Sequence, residues 1–175
     1  MASKYFKNFP LITYNNTLVR NIMLKSSFIG ELNLGDTAFY TYEVTDGERP
    51  TTVAFNYYNS IDYVWLVYLS NQITDPYFEW PLSSHELDAH IIKKYGSLQT
   101  AQQTIVEYKS IYDDYDITTL DTFNYYQQNN ITTEYLTPVY GYDKEVTLNE
   151  SRRNIQLIPD TFAEQIAYQL EQSLG

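Results

Sequence analysis

The chain contains no cysteine, little glycine or proline, and few basic residues. Without cysteine it has no disulfide bond, no thiolate nucleophile and no thiolate metal ligand. Its 11 Lys and Arg residues stand against 22 Asp and Glu residues, which gives a net charge of -11. Because nucleic-acid binding draws most of its affinity from basic side chains, we expect no nucleic-acid partner. The same negative charge weighs against an anionic membrane, so we expect no membrane partner either. No run reaches the roughly 18 apolar residues of a membrane span.

The chain is rich in tyrosine, with 19 among 175 residues. A hydrophobic fraction of 43% and an aromatic fraction of 17% indicate a folded chain, and its length suits one domain or a small module with flanking arms. Tyrosine joins a large apolar face to a hydroxyl and is enriched at partner interfaces. It also suits a tyrosine-rich core and β surface, so composition leaves both interpretations open.

The N-terminal part is predicted to be an irregular arm that leads into a strand and a helix. Residues 1–37 mix aromatic side chains with Asn and Thr and lack a clean period, which indicates an extended arm or short strands. Residues 38–44 alternate as in a strand. Pro50 suits the first turn of a helix over about 50–58.

A second and a third helix are expected before residue 96. Ser60 can cap a segment that is apolar nearly all round, with Trp65 and Leu69 predicted in the core. The following run, QITDPYFEWPL, carries two prolines and is expected to be a loop and a short extended piece. Ser83 and Glu86 have the spacing of a capping box, which predicts a helix over 84–95 ended by Gly96.

The second half of the chain is predicted to contain a fourth helix, a β-rich segment and a final helix. Apolar residues recur at three and four over 97–112, which indicates a helix. Residues 113–159 alternate Thr, Tyr, Val and Ile and predict a β-meander. Residues 160–175 follow a capping-box spacing and predict an amphipathic helix. The fold class is therefore α+β. The expected stripe of the final helix is Phe162, Ile166, Leu170 and Leu174.

Catalytic or metal-binding chemistry is hard to find in the sequence. The two histidines, His85 and His90, lie about 140° apart around a helix and do not share one face. Asp113, Asp114 and Asp116 lack the glycine and distal glutamate of a calcium loop and favour a solvated acidic turn. We expect no enzyme, no cofactor and no metal site.

Residues 39–96 resemble the baseplate wedge subunit of contractile-tailed bacteriophages, and the similarity extends to both ends of the chain. The motifs that carry it are ERP before the first helix, Tyr57-Tyr58, Trp65, LSNQITDP, EWPLS and KKYG, with KYFKNFPLITY near the start and LNESRRNIQLIPDTFAEQI near the end. The resemblance implies a structural protein of the virion tail baseplate that is assembled in the host cytoplasm. It implies that the subunit joins adjacent wedges around the hub.

The partners that the resemblance implies are other baseplate wedge proteins, neighbouring wedges and the sheath-initiating lysozyme-like subunit. Binding would rest on protein–protein contacts. Aromatic anchors in the N-terminal arm are candidate contacts. They are Tyr5, Phe6, Phe9 and Tyr14.

The segment 38–96 also looks like a LysM module, a small βααβ unit, with Asn71 where that module has an asparagine closing its second helix. This resemblance implies an alternative function, the binding of peptidoglycan or another N-acetylglucosamine polymer. Its groove would lie between two loops. They are Thr45, Asp46, Gly47 and Glu48 after the first strand, and Gln72, Ile73, Thr74 and Asp75 after the second helix. The acidic side chains of these loops weigh against sugar binding.

Overall fold

A computed structural model describes residues 9–21, 39–113 and 115–174 of the chain. In the last helix the side chains are described up to Gln169. The predicted α+β class is confirmed. Two compact units are present. Unit 1 contains the described residues up to Trp80 and those from Arg153 onward, and unit 2 is Pro81–Arg152. No helix in the described ranges is long and apolar enough to cross a membrane.

Unit 1 begins with an antiparallel β-hairpin, where the sequence predicted an arm or short strands. Its strands are β1 (Leu11–Tyr14) and β2 (Thr17–Arg20). Both turn residues, Asn15 and Asn16, have positive φ angles of 53° and 58°. Two left-handed residues make the type I′ turn that matches strand twist, and asparagine tolerates that conformation.

The rest of the described part of unit 1 contains a two-stranded sheet, four α-helices and a 3-10 turn. The elements are β3 (Tyr40–Glu43), α1 (Pro50–Tyr58), a 3-10 turn (Ile61–Tyr63), α2 (Val64–Ser70), α3 (Pro76–Glu79), β7 (Asn154–Leu157) and α8 (Asp160–Leu174). The helix predicted over 50–58 is confirmed. Ser60 caps the 3-10 turn by accepting a hydrogen bond from the amide of Asp62.

The predicted βααβ module over 38–96 is not formed within that segment. Strand β3 pairs antiparallel with β7, in a register that places Tyr42 opposite Ile155. The described residues from α2 to residue 96 contain no strand. The middle of the run expected there as a loop and a short extended piece forms the one-turn helix α3, since Asp75 caps it and Pro76 occupies its first position. Trp80, which follows α3, has an extended backbone.

The core of unit 1 lies between the sheet, α1, α2 and α8. Trp65 is 6% exposed, and Leu69 is partly buried against the same cluster. The hydroxyl of Tyr58 donates to the carbonyl of Ile158 at 2.9 Å. Of the stripe predicted for α8, Ile166 is buried and Phe162 is exposed, and the side chains of Leu170 and Leu174 lie outside the described ones. The buried residues of α8 are Ala163, Ile166 and Ala167.

Unit 2 contains four helices and a three-stranded antiparallel sheet of order β5-β4-β6. Its elements are α4 (Ser84–Tyr95), α5 (Leu98–Gln103), β4 (Ile105–Ser110), β5 (Ile117–Thr119), α6 (Leu120–Gln128), β6 (Leu136–Tyr140) and α7 (Gly141–Ser151). The predicted helix over 84–95 is confirmed with both halves of its capping box, Ser83 and Glu86, and Gly96 ends it with a φ of 88°.

Two predictions for unit 2 are wrong. The helix expected over 97–112 ends at Gln103, and the chain continues as the central strand β4. The β-meander expected over 113–159 contains α6 and α7 between its strands. The segment TFNYYQ within that expected meander lies in α6, which Thr119 caps by accepting from the amide of Thr122.

Candidate docking surfaces and the loops of the predicted groove

The first loop of the predicted sugar groove is closed by its own side chains. Glu48 accepts hydrogen bonds from the hydroxyl of Tyr42 at 2.8 Å and from the amide and hydroxyl of Thr45, both at 3.1 Å. Burial, followed by the hydrogen bond to Glu48 and its charge, raises the pKa of Tyr42 to about 12. Gly47 supplies the positive φ of the turn. The Glu48 carboxylate is therefore bonded to its own loop and to the neighbouring strand β3.

Residues distant in sequence hold this loop in place. Arg153 donates to the carboxylate of Asp46 at 3.1 Å and to the carbonyl of Val44 at 3.3 Å. The indole nitrogen of Trp80 donates to the carbonyl of Glu48 at 2.8 Å. Trp80 and Arg153, the residues that flank unit 2 in the sequence, are thus both anchored on the turn after β3.

The second loop, Gln72–Asp75, is closed in a similar way. Glu79 accepts from the amides of Thr74 and Asp75, at 2.6 and 3.0 Å, and Asp75 caps α3 by accepting from the amide of Tyr77 at 3.0 Å. Ile73 packs against the core. Both loops are turns whose acidic groups stabilise the backbone.

The N-terminal residues predicted as partner contacts fall into three groups. Tyr5 and Phe6 lie outside the described residues. Phe9 is 2% exposed in the core of unit 1, so the prediction that it faces a partner is wrong. Tyr14, at the end of β1, is 71% exposed and remains a candidate contact.

Other strongly exposed aromatics were not singled out from the sequence. Tyr77 and Phe78 lie on α3 with 87% and 70% of their surface exposed. Tyr112 and Tyr115 are similarly exposed beside the acidic turn of unit 2. A helix of one turn cannot bury two neighbouring side chains, so at least one of Tyr77 and Phe78 must be exposed. Pro76, which starts this short helix, was the sequence signal available for that pair.

The most enclosed charged cluster lies in unit 2 around Glu145, whose side chain is 7% exposed. Its carboxylate accepts from Lys94 at 2.6 Å and from the hydroxyl of Tyr95 at 3.3 Å, and lies 3.4 Å from His90. Burial acts to raise the pKa of Glu145, but the hydrogen bond and charge of Lys94, with His90 and Tyr95, outweigh it and leave that pKa below its usual value.

Packing around the cluster explains the glycine that begins α7. A Cβ at Gly141 would lie 2.7 Å from the ring of Tyr95. Only glycine lets that ring reach Glu145. The cluster is an ion pair with a hydrogen-bonded support, and the described residues contain no group of three or more His, Asp or Glu suited to a metal ion. In the acidic turn, Asp113 and Asp116 are exposed, and Asp113 accepts a hydrogen bond from the amide of Tyr115 at 2.9 Å.

Comparison with known proteins agrees with the resemblance inferred from the sequence. The family model for base plate wedge protein 53 matches residues 5–137. No curated protein matches the chain. The family match covers all of the described hairpin, the helices of unit 1 up to α3, and unit 2 as far as β6. The chain belongs to the family of phage base plate wedge protein 53, whose members are structural proteins of the tail baseplate.

Proposed function

We propose that this protein joins adjacent wedges of a contractile-tail baseplate around its hub, through protein–protein contacts and without catalysis. Its partners would be other baseplate wedge proteins, those of neighbouring wedges, and the sheath-initiating lysozyme-like subunit. It would enter the virion during assembly in the host cytoplasm. The family supports a baseplate role, and the exposed aromatic pairs support the docking role.

The exposed aromatics carry the proposal because water is a poor environment for them. Tyr77, Phe78, Tyr112 and Tyr115 expose 70% to 93% of their surface. Aromatic residues are enriched among the few interface residues that dominate binding energy, since they bury a large area with little loss of rotamer freedom. Two pairs of this kind fit a protein that holds several neighbours.

No described contact favours the peptidoglycan alternative. Glu48 accepts a hydrogen bond from the amide of Thr45 in its own loop, and Asp75 accepts one from the amide of Tyr77 in α3. Sugar binding is therefore an outcome for the experiment to distinguish.

The first test is co-expression with the proteins of the neighbouring tail genes, followed by purification on a tag carried by this chain. We expect a stable complex with wedge subunits. In parallel, the isolated protein is mixed with insoluble peptidoglycan and sedimented. Retention on peptidoglycan without a complex would replace the proposed function by the alternative.

The second test replaces Tyr77 and Phe78 together by Ser. We expect the affinity for the wedge partners to fall about tenfold or more, since each aromatic anchor contributes on the order of 1 kcal/mol or more. Unfolding should be unchanged, because both side chains are exposed. The matched control replaces Gln102 and Gln103, an exposed polar pair at the end of α5, by Ser. Equal affinities for the two variants would remove α3 from the docking surface.

A further inference from the structure

The two edges of the β3–β7 sheet differ in a way that points to a partner. Strand β7 uses its outer edge within the protein. The amide of Gln156 donates to the side-chain oxygen of Asn71 at 2.7 Å, and its carbonyl accepts from the side-chain nitrogen of Asn71 at 2.8 Å and from Ser70 at 2.6 Å. The Asn71 amide thus takes the place that a third strand would occupy.

The outer edge of β3 has no such cover among the described residues. In an antiparallel pair, the backbone N–H and C=O groups of two opposite residues either bond each other or both point away from the partner strand. The amide and carbonyl of Gln156 point away from β3 to Asn71, and Thr41 is the residue opposite Gln156. The amide and carbonyl of Thr41 therefore point away from β7. Glu43 follows at the same phase two residues later. The described contacts contain no hydrogen bond to the backbone of either residue.

The side chains beside this edge define what kind of strand would fit. Thr41 and Glu43 are exposed on the polar face of the sheet. On the other face, the ring of Tyr40 is half exposed and stacks on Tyr57 at 5.6 Å. Edge strands are protected by short length, charged side chains, proline or a bulge. Strand β3 is short and carries one charged side chain, Glu43, but it has no proline, lysine or bulge.

We propose that the outer edge of β3 accepts an extended strand of another baseplate protein, with apolar side chains against Tyr40 and a Lys or Arg against Glu43. This rests on the proposed docking function and names the chemistry of one contact. Strand addition uses the free amides and carbonyls for affinity and the flanking side chains for specificity. The exposed Glu43 and the net charge of -11 favour a basic strand over an acidic one.

Proline at position 41 tests the backbone contact directly. Thr41→Pro removes the outward amide and leaves the hydrogen bonds between β3 and β7 in place, since proline is tolerated on edge strands. We expect the affinity for the co-expressed wedge proteins to fall about tenfold. The matched control Thr41→Val keeps the amide and should bind within about twofold of the unchanged protein. Glu43→Lys should weaken binding through charge repulsion. Equal binding by Thr41→Pro and Thr41→Val would overturn the inference.

Hydrogen exchange of the full chain separates this inference from the proposed function. The amides of Thr41 and Glu43 should exchange rapidly in the free protein and slowly in the wedge complex, whereas that of Tyr42 should be slow in both. A complex that leaves Thr41 and Glu43 unprotected would overturn the strand addition alone. Protection of both amides in the free protein would mean that the chain covers its own edge. Absence of any complex would instead reject the proposed function.

Discussion

Two asparagine side chains each form hydrogen bonds to both backbone groups of a residue distant in sequence. Asn71 bonds both backbone groups of Gln156, as described above. Asn149, which is 2% exposed, accepts from the amide of Leu82 at 2.7 Å and donates to its carbonyl at 3.0 Å. A side-chain amide has the same donor and acceptor as a peptide group, so it can satisfy an exposed backbone edge.

We expect Asn71→Ala to lower the free energy of unfolding by about 1–2 kcal/mol, because the amide of Gln156 loses its acceptor. The carbonyls of Gln156 and Val67 each lose one donor and keep the hydroxyl of Ser70. Asn71→Asp should destabilise at least as much, since a carboxylate would face two carbonyl oxygens. Urea unfolding followed by tryptophan fluorescence measures both. The control is Asn129→Ala, which breaks one exposed bond to Tyr125 and should cost less than about 0.5 kcal/mol. Equal stability of Asn71→Ala and the unchanged protein would show that water replaces the amide.

At the scale of single elements, local signals predicted the elements that carry their own start and stop residues. Pro50 begins α1, and the box of Ser83 and Glu86 begins α4. Strand β4 was predicted as helix because Ile105 and Tyr108 fit both a helical stripe and a strand. Pairing with β5 and β6 makes this segment a strand. That pairing is non-local and has no sequence signal.

Helix α7 was missed for a different reason. Its buried face consists of Gly141, Glu145 and Asn149, spaced by four. These residues are small or polar, so the face has no apolar periodicity to detect. Helix α6 was missed because its aromatic residues favour strands, while the stacking of Phe123 on Tyr108 at 3.7 Å joins it to the sheet. The docking candidates Tyr77 and Phe78 on α3 could not be predicted either, because tertiary packing decides which aromatic side chains are exposed.

Helix α7 also carries the pH dependence that we expect of unit 2. The pKa of Glu145 is lower in the folded protein than its usual value of 4.5, so its stabilising contribution is present above about pH 4.5 and is lost as the pH falls through the folded pKa. Lys94 has a raised pKa, chiefly through its hydrogen bond to Glu145, so its contribution is lost only as the pH rises above about 10.5.

The variant Glu145→Gln should therefore lower the free energy of unfolding at pH 7 by about 1–2 kcal/mol, less than for a fully buried pair because Lys94 is half exposed. The difference from the unchanged protein should shrink below pH 4.5. Thermal unfolding by circular dichroism at pH 3.5, 5 and 7 measures this. The matched control is Glu107→Gln, which breaks the ion pair with Lys144. Its effect should be smaller, because the Glu107 carboxylate is more exposed than that of Glu145. A constant difference between pH 7 and 3.5 would contradict the assignment.

At the scale of the whole molecule, unit 2 is an insertion between the two halves of unit 1. This explains why the expected βααβ module did not close within 38–96: its second strand, β7, follows the insertion. Each unit also fixes its own ends. Asn149 ties Leu82 within unit 2, while Trp80 and Arg153 are both held on the turn after β3 within unit 1. Sequence order alone does not reveal such a discontinuity, because strand pairing over more than a hundred residues has no local signal.

Unit 1 should therefore fold when Pro81–Arg152 is replaced by a short flexible linker. Roughly six Gly and Ser residues span on the order of 14 Å, and the two ends are anchored on one turn. Both tryptophans of the chain, Trp65 and Trp80, are buried in unit 1, so their fluorescence reports on this unit alone. We expect blue-shifted emission and a cooperative urea transition in the shortened chain. The same replacement carrying Trp65→Ala should lose about 3–5 kcal/mol of stability, which serves as the control for native packing. Red-shifted emission without a transition would mean that unit 1 needs the insertion in order to fold, and the βααβ core could then not be treated as a separate unit of the wedge protein.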